Sequence, residues 1–213
     1  MLAATAVKFM NVPIDTPEDL SVLRASKKLP FDQMPLLEID GKFLSQSSAM
    51  IRYLARRGEL YGANDTDAMW CDLIAGVAAD FAETAIQAAF KPTTEIVVAD
   101  LEARFSKFGP RFEARLEDQN SGYCAADSMT FADIILSEAI SSYLEWCPDT
   151  LDSTPRLKAL YERVIGDAGI AAYLESELRY PKPGNDYVIG AARVLRRALP
   201  THMPDANRFV ASI

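Results

Sequence analysis

Residues 29–57 read LPFDQMPLLEIDGKFLSQSSAMIRYLARR, and their order decides the fold. PLLEI at 35–39 has the composition of a short strand. Asp40-Gly41 is a strong two-residue hairpin signal, because both places in such a turn favour left-handed backbone, so Lys42, Phe43 and Leu44 return antiparallel. Small polar residues then lead into a helix over Ser47 to Arg57, with Ala49/Met50, Tyr53/Leu54 and Arg57 at helical spacing. Gly58 stands just past it as a stop. A strand edge and a helix N-terminus are thereby set side by side. Together they can hold a small molecule that carries a peptide backbone and a carboxylate.

On either side of this stretch two regimes are visible. Up to about residue 61 strand and helix patterns mix, and FMNVPI at 9–14 predicts a further strand with Pro13 at its end or edge. From about residue 66 the pattern is helical only. Trp70, Leu73/Ile74, Val77 and Phe81 fall at three- and four-residue steps, and so do Val97, Leu101, Phe105, Phe108, Phe112 and Leu116. Gly109-Pro110 interrupts the second series, which predicts a kink or a break. Thr130 with Asp133 three residues on has the capping-box spacing and opens another apolar run. Further helices are expected near 154–166, 168–177 and 187–199, the last after a linker-like PKPGND at 181–186.

Composition excludes several chemistries. The net charge of −8 repels nucleic-acid backbones and anionic membranes, and no apolar run reads as long enough to span a bilayer. The apolar start, MLAATAV, is closed by Lys8 without a basic leader or a convincing cleavage site, and reads as structure. Cys71, Cys124 and Cys147 are odd in number and widely spaced, as reduced thiols in a cytoplasmic setting would be. The one histidine, His202, lies in a proline-flanked stretch with no nucleophile motif near it. Zinc-ligand spacings, a Walker loop and a G-x-G-x-x-G turn are absent, so the chemistry must come largely from the ligand.

Gln33-Met34-Pro35, then LLEIDG at 36–41, SQSSA at 45–49 and RYLAR at 52–56 closely resemble cytosolic glutathione transferases, with the sigma-like class nearest. SMTFAD at 128–133 resembles the folding motif that the family carries in its helical domain, and the likeness runs from about residue 9 to 180. The resemblance implies an α/β thioredoxin-like N-terminal domain over 1–61, a linker over 62–65 and an all-α helical domain over 66–180. Residues 181–213 would then be a C-terminal extension. It implies a cytoplasmic homodimer that conjugates the thiolate of glutathione to small hydrophobic electrophiles, with glutathione as co-substrate and no further cofactor. Isomerase or peroxidase use of the same thiolate stays open, as does binding of glutathione or hydrophobic ligands without turnover.

The family's binding roles carry over residue by residue. Gln33, Met34 and Pro35 match the turn, cis at its proline in the family, whose open backbone groups pair with the cysteinyl part of glutathione. Gln46 and Ser47 match the binders of the γ-glutamyl group, where a helix N-terminus favours a carboxylate. Arg24 stands where relatives place a lysine for the glycyl carboxylate, and Leu20 where many carry a tryptophan. Asp80 matches an acid that reaches the neighbouring subunit's glutathione. Gly76 and Ala79 replace acids with which some relatives hold a metal, so no metal is expected.

One part of the family pattern has no counterpart. Residues 2–9 align with the end of the family's first helix, so the first strand and the catalytic tyrosine are missing, and the earliest tyrosine is Tyr53. The reactive species is the thiolate, and a free thiol with a pKa of about 8.5 is mostly protonated at neutral pH. Loss of the hydroxyl that stabilises it should slow the reaction on the order of 10²-fold, by analogy with an oxyanion donor. The catalytic residue is therefore unassigned. Three explanations stay open: the sequence begins late relative to the functional protein, which we favour; residues 2–9 replace the strand; or catalysis has been abandoned. Thr5 is the nearby hydroxyl that could substitute as a donor.

Overall fold

The computed structural model describes residues 1–203. Backbone contacts divide the described residues into two units: Met1–Phe9 with Leu54–Lys182, and Met10–Tyr53 with residues 183–203. This grouping cuts across the sequence division at residue 61. The part of the C-terminal extension beyond Met203, including Pro204, lies outside the described residues.

In the smaller unit, Thr16 opens a helix that the sequence reading did not assign, α1 (Pro17–Ala25). The Thr16 hydroxyl oxygen accepts from the Asp19 amide at 3.1 Å, and the Asp19 carboxylate accepts from the Thr16 amide at 2.9 Å. That capping box, with Pro17 at the first helical position, is a complete start signal. The hairpin forms as expected. Asp40 (φ 49°) and Gly41 (φ 71°) make its turn, and β1 (Leu37–Ile39) pairs antiparallel with β2 (Lys42–Leu44), Glu38 opposite Phe43. Strands this short are marginal alone. Lys28 supports them, its ammonium 3.3 Å from Glu38 and 5.0 Å from the centre of the Phe43 ring.

Residues 9–14 are not a strand. Pro13 has no N–H to donate, and among the described residues the sheet has only its two hairpin strands. Helix α2 (Ser47–Arg57) follows the hairpin. It ends where Glu59 turns left-handed (φ 57°) and the Leu60 amide reaches back to the Ala55 carbonyl at 2.8 Å. Gly58 serves packing instead, since a Cβ there would lie 2.4 Å from the Thr5 methyl carbon.

The helical unit holds α3 (Asp65–Ile86), α4 (Thr94–Gln119), α5 (Phe131–Leu144), α6 (Pro155–Ile165) and α7 (Ala168–Leu174). Phe81 of α3 lies at its centre, stacked on Tyr143 at 4.1 Å and edge-on to Phe112 at 5.7 Å. The Tyr143 hydroxyl donates to the Phe81 carbonyl at 2.9 Å, which ties α5 to α3. The predicted break at Gly109-Pro110 does not occur: α4 runs through it. Leu101 and Phe105 before it, and Phe112 and Leu116 after it, are all buried, so packing on both flanks holds one helix. Gly109 is needed there, because a Cβ would sit 2.6 Å from the Phe105 ring.

The N-terminal residues form a helical turn, with the Thr5 amide on the Met1 carbonyl and the Val7 amide on the Leu2 carbonyl, both at 3.0 Å. They do not replace a strand. The segment Asp65–Phe90 is long and apolar enough to cross a membrane by length and composition, contrary to the sequence reading. Here its Cys71, Ile74, Ala78 and Phe81 are buried in the helical unit. The last helix among the described residues, α8 (Asn185–Leu195), belongs with the smaller unit and packs against α1, where Arg193 donates to the Asp15 carbonyl at 3.1 Å. It ends at Leu195, four residues earlier than the sequence predicts, and the next residue, Arg196, is left-handed (φ 49°).

Asp133 is fully buried, and its carboxylate accepts from the Cys124 amide at 2.7 Å and from the Thr130 amide and hydroxyl, each at 2.8 Å. Burial raises its pKa against the pull of these donors. Asp133→Ala leaves three donors unpaired and should cost about 3 kcal/mol or more in urea unfolding. Asp133→Asn keeps an acceptor oxygen and should cost less than half as much. Equal losses would contradict the assigned role.

Candidate functional site

Pro30 begins a single turn in which Phe31 (φ 58°) and Asp32 (φ 54°) both take left-handed backbone. The chain then straightens through Gln33 into Met34-Pro35, whose peptide bond is cis. No hydrogen bond among the described residues uses the Met34 amide or carbonyl. Met34 is exposed and follows an extended residue, so its backbone groups are left open as those of a strand edge are.

Gln46 turns the chain from β2 into α2 through left-handed backbone (φ 68°). Its carbonyl accepts from the Ala49 and Met50 amides at 2.9 and 3.1 Å. The amides of Ser47 and Ser48 precede the first intrahelical bond and have no acceptor within the helix, so they and the helix dipole favour an anion. The side-chain amide of Gln46 donates to the Gln33 side-chain oxygen at 2.5 Å. That bond, across thirteen residues of sequence, brings the Met34 edge to the entry of α2.

Arg24, in the last turn of α1, donates through Nε to Asp32 at 2.8 Å. The side chains are 49% and 62% exposed, so the pair contributes little to stability. It does hold the end of α1 to the turn before Gln33. Sequence reasoning missed Asp32, because nothing in the spacing marks an acid eight residues on as the partner of Arg24. Leu20 is buried in the smaller unit. Arg24, Gln33, Met34, Pro35, Gln46 and Ser47 are thus gathered in that unit. Asp80 lies in the helical unit, on the exposed face of α3, and its backbone carbonyl accepts from the Arg104 guanidinium.

The described residues offer few nucleophiles. Burial pushes the Cys71 thiol up to about 11, and it raises Cys124 and Cys147 as well. The Thr5 hydroxyl lies 3.1 Å from both the Met1 and Leu2 carbonyls, so its hydrogen is engaged within its own turn. His202 is exposed in a turn. The site can hold a peptide backbone through Met34 and a carboxylate through Ser47 and Ser48.

Residues 1–56 match the family model described as the glutathione S-transferase N-terminal domain, and residues 79–177 match that of the C-terminal domain. Glutathione S-transferase alpha-2 of Rattus norvegicus is 30% identical over 82% of this chain and 80% of its own length. Glutathione S-transferase alpha M14 of Sus scrofa is 32% identical over the same shares. Among solved structures, the glutathione S-transferase of Ascaris lumbricoides superposes with a TM-score of 0.68 at 28% identity, over 85% of this chain and 90% of that one. Monomeric Na-GST-3 of Necator americanus superposes with a TM-score of 0.74 at 24% identity, over 84% and 89%.

Because the Arg24–Asp32 pair stands in water, Asp32→Ala should lower unfolding free energy by less than about 1 kcal/mol in urea titration. A loss of several kcal/mol would contradict this reading of the pair.

Proposed function

The chain belongs to the glutathione S-transferase family, and we propose that it joins the thiolate of glutathione to small hydrophobic electrophiles. The Gln33–Gln46 bond carries the detailed reading, since it brings a free backbone edge to a helix N-terminus. The cysteinyl backbone of glutathione pairs with the Met34 amide and carbonyl as a miniature added strand. Its γ-glutamyl carboxylate takes the Ser47 and Ser48 amides with the Ser47 hydroxyl. Its glycyl carboxylate meets Arg24, which it shares with Asp32. Glutathione enters as co-substrate and the reaction uses no metal; Gly76 and Ala79, beside Asp80 on the open face of α3, offer no ligand. The sigma-like assignment rests on the motifs of residues 33–56, the curated relatives carrying alpha-class names.

The working form we propose is a cytoplasmic homodimer. Three unpaired cysteines suit a reducing compartment. Met69, Leu73, Gly76 and Asp80 follow at helical steps along one exposed stripe of α3, with Ile86 beyond them 70% exposed. Phe31, beside the peptide site, is 84% exposed. Large apolar groups left in water suit a second copy of the chain, and Asp80 on the same stripe then reaches the partner's glutathione. A second reading, binding without turnover, is favoured by one observation: the Thr5 hydroxyl is already engaged with backbone carbonyls.

Retention on immobilised glutathione, together with thioether formation from an aromatic halide, tests the activity. Retention with turnover is expected. Retention without turnover selects the second reading, and failure of both in folded protein refutes the site. Ser47→Ala should weaken retention about tenfold, the loss of one charge-assisted hydrogen bond. On gel filtration the protein should elute as a dimer and Leu73→Glu as a monomer, whereas a monomeric unaltered protein would refute the role given to Asp80.

A further inference from the structure

Within the helical unit, and using none of the residues assigned to glutathione, a cleft of about 600 Å³ opens between the middle of α4 and the loop from α5 to α6. That volume suits a small organic molecule. Phe105 is buried beneath it, and Val98, Pro110 and Trp146 supply apolar walls. Its charged groups are both carboxylates, and the hydroxyls of Ser106 and Thr150 are turned to backbone carbonyls of their own segments. Pro110 has no N–H, so the Ser106 carbonyl lacks the donor that an unbroken helix would give it. Glu102 and Asp149 both line the cleft, and neither forms an ion pair with a described residue. Lys182, near the cleft, lies 3.3 Å from the centre of the Trp146 ring and donates to the Glu145 carbonyl at 2.9 Å. No Lys or Arg is among the residues that line the cleft, so the two carboxylates set the charge of its lining.

We propose that this cleft is a second ligand site, for a small hydrophobic amine: an apolar body seated against Phe105, Val98 and Pro110, and an ammonium directed to Glu102, Asp149 and the Ser106 carbonyl. Two carboxylates without an ion-pair partner, beside apolar walls, select a cation with an apolar body over a neutral or anionic one. Cys147 also lines the cleft, but burial and then the Glu102 carboxylate raise its thiol, so it stays protonated at neutral pH and the site binds without forming a thioether. The thiol serves as a reporter, because Cys71 and Cys124 are fully buried.

The test uses the full chain and three probes of nearly equal shape: naphthylmethylamine, naphthylmethanol and naphthoate. Isothermal titration should give the amine at least tenfold tighter binding than the alcohol, with the carboxylate weakest. Saturating amine should slow maleimide labelling of Cys147, read by mass spectrometry, at least tenfold. In Glu102→Gln/Asp149→Asn, both surface changes, the preference for amine over alcohol should fall below about threefold while retention on immobilised glutathione is unchanged. Equal binding of the three probes by the unaltered protein, or amine binding that leaves Cys147 labelling at its free rate, overturns the proposal.

Discussion

At Gln46 the backbone takes a conformation that costs an L-residue about 1 kcal/mol or more, and the candidate site depends on its being held there. Two bonds hold it. The Gln46 carbonyl caps the first turn of α2, and its side-chain amide reaches Gln33. With Gln46 turned this way, β2 passes into helix without a loop, and the amides of Ser47 and Ser48 stay open to an anion. Relaxation of that residue would separate the helix N-terminus from the Met34 edge and divide the site in two. Phe31 and Asp32, on the other side of the Gln33–Gln46 bond, are left-handed as well. Three left-handed non-glycine residues thus stand around the candidate site, while others, Asp40, Glu59 and Arg196 among them, turn the hairpin or end helices.

The helical unit solves the opposite problem. There two polar groups are internal and paired: Asp133 with three donors, and the Tyr143 hydroxyl with the Phe81 carbonyl, in the middle of an aromatic core. Buried polar contacts of this kind are costly to break and fix one packing arrangement. The open backbone groups of the glutathione site and the carboxylates of the α4 cleft lie at the surface instead, where water can leave them for a ligand.

Local chemistry was legible in the sequence wherever a few neighbouring residues decide the outcome. Asp40-Gly41 specifies its turn through backbone preference alone, and Thr130 with Asp133 marks a helix start. Thr16-Pro17-Glu18-Asp19 was equally legible, and α1 could have been found from it. What escaped depends on distant partners. FMNVPI has strand composition, yet a strand exists only where another offers its edge. Gly109-Pro110 reads as a break, yet buried rings on both flanks keep α4 whole. Gly58 looks like a helix stop, and what it does is admit the Thr5 methyl. At the site, the residue types at 33–35 and 46–47 pointed to a peptide ligand. The Gln33–Gln46 bond and the Asp32 partner of Arg24 could be seen only once the chain was folded.

The central claim is that a free backbone edge and a helix N-terminus together recognise glutathione by its peptide and its carboxylate. Isothermal titration of glutathione against an analogue whose γ-glutamyl carboxylate is converted to an amide tests this most directly, with S-methylglutathione as the control for the sulfur. The account predicts that the amide binds at least tenfold more weakly and that S-methylation changes affinity little. Equal affinity for glutathione and the amide would contradict it.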